Sequence, residues 1–333
     1  MIEKFFADII GHTKIIESLM RAFFGNRMAH AYLFSGPAGI GKLKTAVAFA
    51  RMLQCACEEG QDARCLVCKL PDQQAHPDIM TIVPQGATIK IEQIREIQKD
   101  IQLAPRTGKY KVFIIDGAER LTIQAANSLL KVLEDPPKYV VFILLTAQLH
   151  SLLPTIVSRC QQLAFSFIPE QDIAAWLIRQ GFPEEKTITA SVISGGVPGK
   201  AIMWAEAGQA MRDKAFWCLE TLKQSSFGRM WDVVAELDQE RDQVLSMFEI
   251  ISIILRDTVV WQTTGKAELL LYIDCEQRIA NLSERSRPDE ILEVITEIEH
   301  LKRMLLGNAN SRLLIEKFCL RLQDALAIQG GIC

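Results

Sequence analysis

In the first half of the chain, short apolar runs alternate with segments in which apolar residues return every three or four positions. That alternation predicts a parallel sheet with crossover helices. Runs over His30–Phe34, Ile79–Val83, Lys111–Asp116, Val140–Thr146 and Gln161–Phe165 read as strands. Helical period is found over Ile15–Phe24, Leu43–Leu53, Ile91–Ile101 and Gln124–Glu134. The last of these stops at Asp135-Pro136-Pro137, because a proline pair cannot continue a helix.

Beyond Phe167 the strand signal disappears and helices separated by short breaks follow. One break, Ser194-Gly195-Gly196-Val197-Pro198-Gly199, carries too much glycine and proline to be helical. Long amphipathic helices are predicted over Met247–Gln262, Pro288–Leu306 and Ser311–Ala327, each of which could simply cover a private core. The predicted outline is an α/β domain over 1–166, a small helical domain over 167–208 and an all-α C-terminal domain over 209–333.

Length and composition agree with that outline. A chain of 333 residues, 49% apolar and 23% charged, holds two or three domains with cores of their own. Its longest apolar runs, such as Val140–Leu145 and Ile250–Leu255, fall far short of the ~20 residues of a membrane span. The opening MIEKFFADIIG lacks the basic flank and apolar stretch of a secretory leader, so a cytoplasmic protein without membrane partners is expected. A formal net charge of −3 argues against binding nucleic acid by blanket phosphate neutralisation.

The first candidate chemistry is Gly36-Pro37-Ala38-Gly39-Ile40-Gly41-Lys42, which follows a predicted strand and opens a predicted helix. This is the context of a phosphate-cradling loop: Gly36, Gly39 and Gly41 let backbone N–H groups close on phosphate, and Lys42 reaches the terminal phosphates. Position 43 should then supply a hydroxyl to Mg²⁺, and Leu43 has no oxygen to offer. Shifting the register to Lys44-Thr45 does not help, since Leu43 would stand where the last glycine must be. Asp116 ends the matching acidic strand, but the next residue, where such ATPases place a water-polarising glutamate, is Gly117. Glu119 is expected to point elsewhere. Both departures remove hydrolysis while sparing the cradle, which leaves ATP or ADP binding open and Mg²⁺ not expected.

The second candidate is a thiol cluster. Four of the nine cysteines, Cys55, Cys57, Cys65 and Cys68, fall in one short polar segment and suffice for a tetrahedral, structural Zn²⁺ site within an insertion at about 55–76. His76 is either a substitute ligand or a neighbour. Cys160, Cys218, Cys275, Cys319 and Cys333 are scattered in apolar or helical surroundings and read as packing residues or, for Cys333, a tail thiol.

These residues carry a family resemblance. IIGHTKIIESL, HAYLFSGPAGIGK, the cysteine cluster before HPD, KVFIIDGAERLTIQAANSLLKVLEDPP, LLPTIVSRCQ, GGVPGKA and NANSRLLIE stand in one order over nearly the whole length. The chain resembles the delta-prime family of bacterial DNA polymerase III clamp-loader subunits, in the AAA+ superfamily. The resemblance implies an AAA+ α/β nucleotide-binding domain with a zinc module, a helical lid and a C-terminal oligomerisation collar. It implies a stator that does not itself hydrolyse ATP, in the DNA polymerase holoenzyme, beside motor subunits and the clamp-opening delta subunit. Sliding clamp and primed DNA would be met through the complex.

By the same resemblance Arg159, in Ser158-Arg159-Cys160, would be an arginine finger reaching ATP held by a neighbouring motor subunit, the place where a bidentate guanidinium meets developing phosphoryl charge. Thr146 stands near the family's polar sensor position and Lys200 near its basic nucleotide-reading residue, each either functional or merely structural. The single residue between Cys55 and Cys57 departs from the family's cysteine spacing. Two other readings compete: an ATP-hydrolysing motor subunit, opposed by Leu43 and Gly117, and a zinc-dependent DNA-binding module, opposed by the net charge.

Overall fold

The computed structural model describes residues 5–55, 76–224, 228–284, 286–306 and 309–326. The chain divides into two compact units, one formed by 1–187 with 194–202, the other by 188–193 with 203–333.

The first unit is built on a five-stranded parallel sheet: β1 Ala31–Ser35, β2 Ile79–Ile82, β3 Lys111–Asp116, β4 Val140–Thr146 and β5 Gln161–Ala164, in the order β2-β3-β4-β1-β5. Every residue of β4 is buried, as a central parallel strand covered on both faces requires. Successive side chains serve opposite faces. Ala31 and Leu33 of β1 join Phe113, Ile115, Phe142 and Leu144 in a core closed by Ile94, Ile97, Leu129 and Leu133 from helices Ile91–Ile101 and Ile123–Glu134. The Phe113 and Phe142 rings stack there with centroids 5.5 Å apart. On the other face Tyr32 meets Phe49 of helix Lys42–Gln54 edge-on at 5.4 Å. The edge strands are weaker: β5 has no fully buried residue.

All five strands and the four helices of the first half form where the hydrophobic pattern places them, with ends shifted by one or two residues. Helix Ile123–Glu134 starts at Thr122, whose hydroxyl accepts the Ala125 N–H at 3.2 Å, and stops before Pro136. The expected glycine–proline break differs in one respect. Gly195 and Gly196 turn the chain with positive φ, but Pro198 and Gly199 open the next helix, Pro198–Gln224. Proline suits a first helical turn, where its missing N–H costs nothing.

β1 lies between β4 and β5, so the chain's direction across the sheet reverses at β1 and a crevice opens at the carboxyl ends of β1, β4 and β3. Beneath the neighbouring edge, the buried Asp78 carboxylate accepts N–H groups of Arg106, Thr107 and Gly108 at 2.6–3.0 Å, and the Thr107 hydroxyl at 2.9 Å. This anchors the turn leading into β3.

The second unit is helical. Helices Arg241–Thr264, Pro288–Leu306 and Ser311–Leu326 join Met230–Leu237 and Glu276–Ser283. Ile250, Ile251, Ile254 and Leu255 are buried along the first, Ile291, Val294, Ile298 and Leu301 along the second, and Ile315, Phe318 and Leu322 along the third. Helix Arg241–Thr264 begins six residues before the predicted start, because Val244 alone in that polar turn meets the core. Among the described residues no helix is long and apolar enough to cross a membrane. The parallel α/β sheet followed by helices is thus as the sequence predicts. The zinc module falls outside the described residues.

Burial would push the Asp78 carboxyl up, yet the bonds from Arg106, Thr107 and Gly108 hold it below its ordinary value. A lowered carboxyl contributes stability above its unfolded pKa and loses it as pH falls through the folded value. Asp78→Asn should therefore cost about 1.5–3 kcal/mol at pH 7. In urea titrations repeated at falling pH, the gap to wild type should close below about pH 4.

Candidate nucleotide cleft and interface arginine

The crevice at the strand ends is a cleft of about 460 Å³, lined among others by Gly39, Gly41, Lys42, Leu43, Asp116, Gly117, Glu119 and Thr146. The loop before it depends on its glycines. A Cβ on Gly36 would lie 2.6 Å from the Phe165 carbonyl oxygen, and Gly39 has φ 77° with Gly199 packed beside it. The Gly199 N–H donates to the Gly39 carbonyl at 3.0 Å, bringing the glycine–proline segment against the loop. Gly41 precedes the helix with φ 105°. Only glycine enters such backbone regions without strain.

Lys42, 8% exposed, donates from Nζ to the carbonyls of Gly36 at 2.6 Å and Pro37 at 2.8 Å. Burial lowers its pKa, and the carboxylates of Glu119 and Asp116 pull it back. Asp116 at the end of β3 responds in kind: burial raises its carboxyl, the Lys42 ammonium lowers it and Glu119 raises it further. The Thr146 hydroxyl, buried at the end of β4, accepts the Gln148 N–H at 3.0 Å.

Leu43, 39% exposed, lines the cleft and presents only carbon to it. Gly117, at φ 76°, starts the 3-10 turn Ala118–Arg120 and has no side chain to act as a base. Glu119 corrects the expectation that it points away. It lines the cleft, accepts the Ala147 N–H on Oε1 at 3.4 Å, and leaves Oε2 buried without a hydrogen-bond partner. No hydrophobic period announces this, because the 3-10 turn Ala118–Arg120 that carries Glu119 follows β3 directly after Gly117. His12 was likewise missed. Its Nε2 lies 3.1 Å from the Ile40 carbonyl of the loop, and its ring packs on Phe165 at 4.6 Å.

The other sequence candidates lie elsewhere. Lys200 stands in the first turn of helix Pro198–Gln224, one residue past the Gly199 contact, and does not line the cleft. Arg159 also lies outside the cleft, just after the short helix Pro154–Val157. Its Nη1 donates to the Thr155 carbonyl at 3.0 Å and its Nη2 to Glu134 Oε1 at 2.8 Å. Cys55 sits at the end of helix Lys42–Gln54, while Cys57, Cys65 and Cys68 lie outside the described residues. His76 is engaged within the fold, with Nδ1 accepting the Asp78 N–H at 3.1 Å and Nε2 3.4 Å from the Thr107 hydroxyl.

Two family descriptions match this chain, "DNA polymerase III, delta subunit" over residues 11–169 and "DNA polymerase III, delta subunit, C terminal" over residues 213–324. The DNA polymerase III subunit delta' of Bacillus subtilis is 30% identical over 317 residues, covering 93% of this chain and 96% of that one. The chain belongs to the DNA polymerase III delta-prime family. The delta-prime relationship spans both units, whereas the DNA polymerase III subunit tau of Bacillus subtilis is 38% identical over 170 residues, 50% of this chain and 30% of its own length. A crystal structure of a DNA polymerase III gamma subunit-related protein from Thermotoga maritima covers 93% of this chain at TM-score 0.50 and 20% identity, a likeness of fold.

Gly36→Ala should force the loop away from Phe165. We expect a loss of about 1–3 kcal/mol, the usual penalty for overpacking, read as a lower urea midpoint at unchanged m-value.

Proposed function

We propose that this chain is a clamp-loader subunit of DNA polymerase III that does not hydrolyse ATP and that supplies Arg159 in trans to ATP held by a neighbouring motor subunit. The observation that carries this reading is the cleft itself. Glycines, Lys42 and Asp116 remain beside a leucine and a glycine, where a metal ligand and a base would have to stand. Such a cleft holds phosphate through backbone N–H groups and the Lys42 ammonium, once Lys42 exchanges its loop carbonyls for phosphate oxygens. It lacks an oxygen ligand for Mg²⁺ at Leu43 and an acid–base group at Gly117. Arg159 lies outside its own cleft and is 35% exposed, which supports a role at another chain's site. Motor subunits, the clamp-opening delta subunit, and the sliding clamp on primed DNA complete the assembly on this reading.

One observation favours the motor alternative: Glu119 reaches the cleft with an unpartnered oxygen beside Asp116 and could orient a water. Leu43 still leaves the metal without its hydroxyl, so the stator reading is preferred.

The isolated chain should show no steady-state ATP turnover with Mg²⁺; measurable turnover would make it a motor. The second arm uses assemblies whose motor subunits have lost their own finger arginines, so that only the site facing Arg159 can fire. There Arg159→Ala should reduce turnover about 10³-fold or more. An unchanged rate would leave a scaffold role alone.

We also read Cys55, Cys57, Cys65 and Cys68 as ligands of one structural Zn²⁺, since four thiols close a tetrahedral site and leave no position for catalysis. Purified protein should carry about one zinc per chain by elemental analysis, and Cys68→Ser should lose it together with thermal stability. Metal-free protein with an unaltered melting temperature would remove the zinc from this account.

A further inference from the structure

Arg159 is not loose at the surface. Two elements hold its guanidinium: the Thr155 carbonyl from the turn before it at 3.0 Å, and Glu134 Oε1, 25 residues earlier in the chain, at 2.8 Å. Glu134 is the last residue of helix Ile123–Glu134, and Asp135-Pro136-Pro137 prevents any further turn. An acidic side chain gains nothing from that position, since the helix macrodipole favours cations at its C-terminal end. The helix therefore gives no reason for a carboxylate there, whereas the ion pair with Arg159 does.

We infer that Glu134 is a positioning residue for Arg159: it fixes the plane of the guanidinium so that the remaining N–H donors face the phosphoryl group of the neighbouring subunit's ATP. This inference rests on the reading that Arg159 acts in trans. Two attachment points from separate elements fix a plane, which one could not. Both partners are substantially exposed, Arg159 at 35% and Glu134 at 57%. A pair so open to water is weak and salt-screened. It can orient the side chain between turnovers without competing seriously with phosphate, and the guanidinium has donors to spare for a second acceptor. The effect belongs in kcat, because orientation matters where charge develops on the transferred group, whereas ATP is bound by the other subunit's own loop.

The test uses the assembly in which only the site facing Arg159 can turn over, with kcat and KM for ATP measured for Glu134→Ala, Glu134→Gln, Arg159→Ala and the Glu134→Ala/Arg159→Ala pair. Glu134→Ala should lower kcat about two- to five-fold with KM within about two-fold, the scale of an exposed ion pair. Glu134→Gln, which keeps an acceptor oxygen, should recover more than half of the lost rate. Adding Glu134→Ala to Arg159→Ala should cost nothing more, since residues acting through one another are not additive. A depressed Arg159→Ala with Glu134→Ala equal to or faster than wild type would overturn the positioning role and leave the finger standing. A further fall in the double variant would also overturn it, by making Glu134 a structural residue. An Arg159→Ala assembly as fast as wild type would overturn the finger, and the positioning role with it. Melting temperatures of the variants, expected near wild type, separate these outcomes from misfolding.

Discussion

The cleft depends on how closely three backbone segments approach one another. The Gly36 α-carbon lies against the Phe165 carbonyl just past β5, and Gly199 lies against Gly39, with one hydrogen bond from the Gly199 N–H to the Gly39 carbonyl. A Cβ at Gly36 would clash outright, and one at Gly199 would lie 3.0 Å from the Gly39 carbonyl oxygen, tighter than an ordinary contact. The loop after β1 is thereby held between the end of β5 and the start of helix Pro198–Gln224, with its N–H groups at the helix entrance. His12 adds a further hold through the Ile40 carbonyl and the Phe165 ring. The loop owes its shape to this packing.

Within that cradle the charges are arranged around Lys42. Its two loop carbonyls and the nearby Asp116 and Glu119 carboxylates tie the buried ammonium to both the loop and the end of β3. Leu43 and Gly117 alter only the groups that would act on a metal and a water. The loop geometry and the Leu43 and Gly117 positions are therefore separable: neither residue makes the close backbone contacts that shape the loop. The Arg159–Glu134 pair lies apart from this cluster, on the surface beyond helix Pro154–Val157.

The fold was legible because the sheet is parallel. Val140–Thr146 is an unbroken apolar run since both its faces are covered, and a run of that kind is visible without any partner. The loop was legible because its glycine spacing is dictated by sterics, with Gly36 against the Phe165 carbonyl and Gly39 and Gly41 at positive φ. What escaped was local geometry: Glu119 is carried into the cleft by a 3-10 turn that no hydrophobic period announces, and the polar first turn of helix Arg241–Thr264 hides its start. Pro198 and Gly199 read as a breaker although they begin a helix. The link from Glu134 to Arg159 joins residues 25 apart through a turn, a strand and a short helix, a distance over which pattern carries no information.

Asp78 sits where the chain re-enters the sheet, two residues after His76, and its carboxylate gathers three consecutive N–H groups from the turn before β3. On the other side, Gln54 closes helix Lys42–Gln54 and donates to the Tyr110 carbonyl, next to the start of the same strand. Residues at both borders of the cysteine segment are thus fastened to the chain just before β3. Such a boundary works like a hem in cloth: each seam is stitched to the weave by its own threads, and the pattern of the sheet is kept at both edges.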